Sequence, residues 1–228
     1  GYNSRLRLPR VEDVARFSLV RAARENVTFE EGDITPAVGS SWFAAGVSFT
    51  SFKMIESDAV VTLSLGEEVE VNLLGCSRLQ VPPRSSVTPI EPIAKMGLDV
   101  RGRIAPHEGV ASLEGLITRD SYVFSPRCHI AGGFAFYLWF GGHQHSGDFV
   151  ATLGGYHPRF DKPSHYPSVP RFALTWEVDP SLTIKGEAYF ALTRQAIMAG
   201  GALEILYQDR DTRACLKAAA NLLAYWDP

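Results

Sequence analysis

The chain has 228 residues, of which 46% are hydrophobic and 21% are charged, and its formal net charge is −3. This composition is typical of globular proteins and excludes an intrinsically disordered chain. The mixed charge gives no basic surface for nucleic acid, so no nucleic-acid partner is expected. No apolar run approaches the ~20 residues that a membrane-spanning helix needs, so we do not expect an integral helical membrane protein.

The N-terminal part carries a helix pattern. Val11, Val14 and Leu19 recur at helical spacing within residues 9–25, and Glu12 follows Pro9 near the expected start. The stretch EEGDITPAVGSS that follows is typical of a linker. We therefore predict an N-terminal helical segment and linker over residues 1–35.

From Trp42 onward the hydrophobic period becomes two, which predicts an antiparallel β domain over residues 36–228. Roughly ten to twelve strands, spaced by about 10 to 15 residues, favour an all-β fold. It would be a strongly curved sheet, a sandwich or an incomplete barrel, because glycines within strands indicate bends. The alanine-rich segment 212–226 fits either a helix or a strand. Since the chain ends directly behind it, we expect a fragment of a longer domain.

Two predicted strands, at residues 134–140 and 198–207, are apolar on both faces. The first is expected to be central and covered on both sides. More generally, such strands require a second layer, or they line an apolar groove for a lipid-like ligand.

The segment 147–171, GDFVATLGGYHPRFDKPSHYPSVPR, contains four prolines. Prolines fix their own backbone and push the preceding residue to extended conformations, so this loop is rigid. It is either a structural lid or a surface for a ligand or partner. A catalytic use would need Asp148 with a loop histidine as the base, but no recognisable nucleophile accompanies them. The candidate contact residues of this loop are Tyr156, His157, Arg159, Phe160, His165 and Tyr166.

A second candidate site is the stretch GGHQHSGD. In an extended chain His143 and His145 point to one face, about 6 to 7 Å apart, which is a spacing that can chelate a metal. The alternative is a glycine-flanked hairpin tip with two exposed histidines. The three cysteines, Cys76, Cys128 and Cys215, are odd in number and far apart, so we expect reduced thiols.

Several phrases of the chain resemble a known family when they are taken together. They are GGFAFYLWFGG, ITRDSYVFSPRCH, GEAYFALTRQAIMAGGALEILYQ and the motif GGYHPRF-x-x-P-x-HYP-x-VPR. The chain resembles family 6603, a domain of unknown function in large fungal and bacterial multidomain proteins, from about Pro36 to Pro228. The resemblance implies no activity, ligand or catalytic residue.

Three functions stay open at this point. The first is a non-enzymatic structural or interaction module that packs against itself, a partner or other domains of the same protein. The second is a carrier of a lipid or another apolar small molecule in a β-lined groove. The third is a metal-dependent hydrolase that uses His143 and His145. The sequence contains no phosphate-binding glycine loop, and we predict no cofactor.

Overall fold

The computed structural model describes residues 1–25, 31–66, 68–83 and 91–226. Fourteen strands pair into one antiparallel sheet, and one α-helix, α1 (Ser18–Glu25), lies near the N-terminus. The predicted all-β antiparallel fold with an N-terminal helix is confirmed. The strands are β1 (Tyr2–Leu6), β2 (Ile34–Ser51), β3 (Ile55–Leu65), β4 (Glu70–Val81), β5 (Ala94–Ala105), β6 (Val110–Ile117), β7 (Tyr122–Val123), β8 (Cys128–Ala131), β9 (Gly133–Trp139), β10 (Phe149–Leu153), β11 (Phe172–Glu177), β12 (Leu182–Thr193), β13 (Ala196–Gln208) and β14 (Arg213–Tyr225).

The strand order is β1-β2-β3-β4-β5-β6-β9-β10-β12-β11-β8-β7, and β5 also pairs with β7. Strand β13 pairs with β12 on the edge away from that path, and β14 pairs with β13. Most consecutive strands are neighbours in the sheet, as is usual for antiparallel folds. Segment 212–226, which fitted either a helix or a strand, contains strand β14.

The N-terminal segment differs from the prediction in two ways. The helix consists of a 3-10 turn, Val11–Arg16, followed by α1, because Phe17 between them adopts an extended backbone with ψ of 135°. Most of the stretch expected to be a linker, residues 34–41, is the start of β2, and β1 pairs with it from Leu6↔Ile34 onward. A 3-10 turn, Glu31–Asp33, precedes it, and Glu30 lies outside the described residues. The division into domains at residues 35 and 36 stays a prediction.

The chain forms two compact units. The first contains residues 1–79, 98–116 and 137–148, and the second contains residues 80–97, 117–136 and 149–228. In the first unit, the helical segment packs on β2, β3 and β4. Its buried residues, Val14, Phe17 and Val20, share one hydrophobic core with Trp42 of β2 and with buried residues of β3 and β4. The apolar face of this amphipathic segment is therefore buried in the core of the first unit. Among the described residues, no helix is both long enough and apolar enough to cross a membrane.

The burial of strand β9 differs from the prediction that both of its faces are covered. It pairs with β6 and β10 and is therefore central, as predicted. However, Phe136 and Leu138 are exposed, whereas Ala135 and Trp139 are buried. The expectation that both faces are covered is wrong, because only the odd-numbered face of β9 is packed.

Candidate functional site

The proline-rich segment forms the connection between β10 and β11 in the second unit. We call residues 154–171 the lid loop. It begins at Gly154 and Gly155, whose φ angles of +69° and +83° lie in the left-handed region that favours glycine. The hydroxyl of Thr152 donates to the carbonyl of Gly155 at 2.7 Å, which holds the first bend. The loop then turns back over the sheet instead of extending β10.

Aromatic rings give the lid loop its own core. The Tyr156 ring stacks on Phe160 and on Tyr166, with centroid distances of 5.9 and 6.2 Å. The Tyr156 hydroxyl donates to the carbonyl of Pro167 at 3.0 Å, and Tyr166 is buried. Stacked rings at these separations stabilise a loop beyond the area that they bury. The rigidity expected from the prolines is thus matched by side-chain packing.

Arg171 fastens the lid loop to the sheet. Its guanidinium donates to the carbonyls of Gly154 and Tyr156, at 2.9 and 2.5 Å. It also lies 4.0 Å from the centre of the Tyr189 ring on β12, in cation–π geometry. The Tyr189 hydroxyl donates in turn to Asn221 on β14 at 2.7 Å. One side chain therefore links both ends of the loop to β12.

The lid loop covers one end of one face of β12, β13 and β14. Tyr156 and Phe160 pack against the buried residues Tyr189 and Met198. The Phe160 ring also lies 6.4 Å from the ring of Tyr225. The structure thus brings most of the predicted loop residues together, but their contacts are made within the chain. Their role toward a ligand or partner stays a prediction.

The remaining loop residues lie around this cluster. His157 Nδ1 accepts the backbone N–H of Arg159 at 3.0 Å, and its ring meets the edge of Tyr189. The His165 ring packs edge-on against Tyr166 at 4.8 Å. Arg159 is exposed. Both histidines therefore support loop conformation.

His143 and His145 lie in the turn between β9 and β10, not in a strand. Glycines with positive φ, Gly141 and Gly147, flank this turn. The two rings are 5.5 Å apart, and His143 Nδ1 accepts the backbone N–H of His145 at 3.0 Å. Within the described ranges, no group of three or more His, Cys, Asp or Glu side chains could hold a metal ion. Two histidines alone do not complete a zinc site, so the metal role stays a prediction without further support.

The cysteines differ in their burial. All three are free, as expected; Cys76 and Cys128 are buried and Cys215 is exposed on β14. Burial, together with the nearby carboxylate of Asp58, raises the pKa of the Cys76 thiol to about 11. A nucleophilic cysteine needs a lowered pKa, so Cys76 is a structural residue.

The face of β12, β13 and β14 opposite the lid loop is apolar throughout. Cross-strand pairing places on it the even-numbered residues 182–192 of β12, the odd-numbered residues 197–207 of β13 and the even-numbered residues 214–224 of β14. We call these eighteen positions the open face. None carries a charge, and Tyr207 alone among them has a polar side-chain group. Its residues are Leu182, Ile184, Gly186, Ala188, Phe190, Leu192, Ile197, Ala199, Gly201, Leu203, Ile205, Tyr207, Ala214, Leu216, Ala218, Ala220, Leu222 and Ala224.

Every position of the open face is exposed or half-buried. Leu203, Leu216 and Leu222 retain 41%, 58% and 56% of their accessible surface. The open face spans eleven residues on each of three strands. With strands about 4.8 Å apart, this gives a patch of roughly 14 by 36 Å, or about 500 Å². This is at the upper end of the apolar patches that monomeric proteins expose, and patches of that size are commonly interaction sites.

A smaller apolar face lies in the first unit, on the side of β2, β3 and β4 away from the helix. Phe43, Val47 and Val61 on it are exposed. The paired serines Ser57 and Ser77 interrupt this face near the start of β3. The open face of the second unit has no such interruption, so it is the stronger candidate for a binding surface.

Comparison with known proteins adds a family. The model of a family of unknown function (DUF6603) matches residues 1–228. The chain belongs to this family. The match includes the N-terminal segment, so the family extends beyond the region of the motifs around the lid loop. No curated protein and no solved structure matches the chain.

The family member has a cluster of paired charges in the first unit. The Arg103 guanidinium donates to Glu70 at 2.8 Å and also to the carboxylate of Glu108. Burial alone would raise the pKa of Glu70, but hydrogen bonds from Arg103 and Asn72 outweigh it and lower that pKa. The hydrogen bond from Arg103 lowers the pKa of Glu108. Sequence analysis did not predict this cluster, because residues 70 and 103 meet only through the pairing of β4 with β5.

This cluster predicts a pH-dependent stability. Carboxyls with lowered folded pKa values stabilise the fold above their unfolded pKa, about 4.3 for Glu, and that contribution is lost as the pH falls through the folded pKa. We therefore expect the difference in unfolding free energy between the wild type and Arg103→Met to be largest above pH 5 and to shrink below pH 4. Urea unfolding from pH 3 to 7 measures it. The exposed Arg119→Met is the control, and an equal pH trend for both variants would contradict the prediction.

Proposed function

We propose that this family member is a non-enzymatic, β-rich structural or interaction module, whose open face packs against an apolar protein surface. The observation that carries the proposal is the row of eighteen apolar positions on β12–β14, none of which is buried. Folding alone does not require such a surface, since the buried residues of these strands, such as Tyr189 and Met198, lie on the opposite face, at the end that packs under the lid loop.

The size of the open face fits this function. Covering about 500 Å² of apolar surface contributes roughly 12 kcal/mol at about 25 cal/mol per Å². The loss of translational and rotational freedom on association opposes this by about 4 to 15 kcal/mol. The balance supports a partner that covers most of the face, and a partner that covers a third of it would not bind stably.

The other two functions receive less support. A carrier encloses most of its ligand in a cleft, whereas the open face is a sheet surface without walls from its own three strands. A metal-dependent hydrolase would need further ligands beside His143 and His145. Both functions stay predictions.

The test compares two neighbouring substitutions on opposite faces of β13. Leu203 lies on the open face, and Ala202 is exposed on the other face, opposite Glu187. We expect Leu203→Lys to lower the fluorescence of a bound apolar dye severalfold and to reduce concentration-dependent assembly beyond a dimer in sedimentation velocity. Ala202→Lys introduces the same charge one residue away and is expected to behave as the wild type. Equal dye binding by all three proteins would overturn the proposal.

A further inference from the structure

The outer edge of β14 is a long strand edge with which no other described strand pairs. Among the described strands, β14 pairs with β13 alone, through thirteen consecutive residue pairs without a bulge. Residues 213–222 are all exposed. Natural edge strands are protected by proline, bulges or dense charge, but residues 213–225 contain no proline and two charges, Arg213 and Lys217.

The hydrogen-bond pattern of the hairpin shows which residues of β14 face outward. At one end, Asp209 N–H donates to the carbonyl of Thr212 at 2.8 Å, and at the other, Trp226 N–H donates to Gln195 at 3.0 Å. Residues 212 and 226 therefore direct their backbone groups toward β13. Because this direction alternates along an antiparallel strand, the odd-numbered residues 213–225 direct their N–H and C=O groups to the outer edge.

From this pattern we infer that a second copy of the chain pairs with β14, antiparallel and about a two-fold axis at Ala219. This inference rests on the proposed function, since it names a second copy as one partner of the module. If all thirteen residues of β14 pair, Arg213 of one copy lies opposite Tyr225 of the other. The central residue, Ala219, then lies opposite Ala219 of the second copy. In that register odd-numbered residues meet odd-numbered residues, so the outward N–H and C=O groups of both copies satisfy one another.

The side chains fit the same register. Lys217 lies opposite Asn221 of the second copy, and Arg213 lies opposite its Tyr225, so no like charges face each other. A parallel, in-register pairing would instead place Lys217 of one copy beside Lys217 of the other, so that like charges meet. An axis perpendicular to the sheet keeps both open faces on one side. The dimer therefore joins them into one six-stranded apolar surface, with Leu216 beside Leu222.

Ala219→Pro tests the pairing at its centre. Proline removes the outward N–H of residue 219 and leaves the hydrogen bonds to β13 in place. Ala219→Val keeps that N–H and suits a strand, so it is the matched control. We expect native mass spectrometry to show a dimer of about 50 kDa for the wild type, twice the 25.0 kDa chain, and for Ala219→Val. Ala219→Pro is expected to weaken the dimer at least 100-fold.

A crosslink checks the register. In a Cys215→Ser background, Ala219→Cys is expected to form a disulfide-linked dimer on mild oxidation, because directly opposed strand residues lie about 5.5 Å apart. Residue 222 lies opposite Leu216 of the second copy, so the Leu222→Cys variant is expected to run as a monomer on a non-reducing denaturing gel. A monomeric wild type, or an Ala219→Pro protein that remains dimeric, would overturn the inference. Neither result bears on the dye-binding difference at Leu203, which tests the open face by itself.

Discussion

Replacement of Gly154 by alanine is expected to lower the melting temperature by about 6 to 12 °C. At φ of +69° an alanine costs about 1 to 2 kcal/mol relative to glycine. Its Cβ would lie 2.4 Å from the carbonyl oxygen of Ala188 and 2.8 Å from the backbone nitrogen of Phe172. Because both are backbone atoms within paired strands, they cannot yield without loss of pairing. We expect a total of about 3 kcal/mol, and a chain of this size loses about 2 to 4 °C per kcal/mol.

Gly186→Ala is the control for this substitution. Gly186 is also in the second unit, but its φ lies outside the left-handed region and a Cβ there would meet no atom within 4 Å. Alanine is favoured over glycine in a strand, so the unfolding free energy should stay constant or rise by up to about 1 kcal/mol. Differential scanning calorimetry of both variants measures the contrast. A Gly154→Ala protein with the melting temperature of Gly186→Ala would show that the entry to the lid loop is not fixed by this glycine.

The sequence predicted elements well where one short period dominates. The apolar runs at residues 134–140 and 198–207 are local signals, and they identified β9 and β13. Strand β1 was missed, and the start of β2 was taken for a linker, because each is stabilised by a partner about 30 residues away. A local pattern contains no information on such pairing.

The candidate site shows the same limit. The prolines predicted a fixed loop, and the two-sided apolar strands predicted either a second layer or an apolar groove. In the structure the lid loop covers one end of one face of β12–β14, and the other face is open. Which face is covered depends on the pairing of Tyr189 with Gly200 and Asn221, across three strands. That register places the Tyr189 ring where Arg171 can reach it, and the sequence by itself does not specify the register.

The second large effect is expected from Arg171→Met, which keeps the length of the side chain and removes its donors. The carbonyls of Gly154 and Tyr156 would lose their partner, and the Tyr189 ring would lose its cation. An unsatisfied buried polar group costs about 1 to 3 kcal/mol, and a cation–π contact contributes about 0.5 to 2 kcal/mol. We therefore expect the lid loop to open more easily by about 3 kcal/mol.

Limited trypsin digestion measures this opening at the bond between Arg159 and Phe160, since Lys162 precedes a proline and resists cleavage. When the loop opens and closes quickly, cleavage follows the population of the open form. A change of about 3 kcal/mol then raises the cleavage rate by roughly 100-fold. Arg210→Met, in the exposed turn between β13 and β14, is the control. Arg171→Lys should lie between the two, because one ammonium retains the charge but does not match the planar fork that reaches both carbonyls. Equal cleavage of all three variants would mean that the aromatic core of the lid loop holds it closed without Arg171.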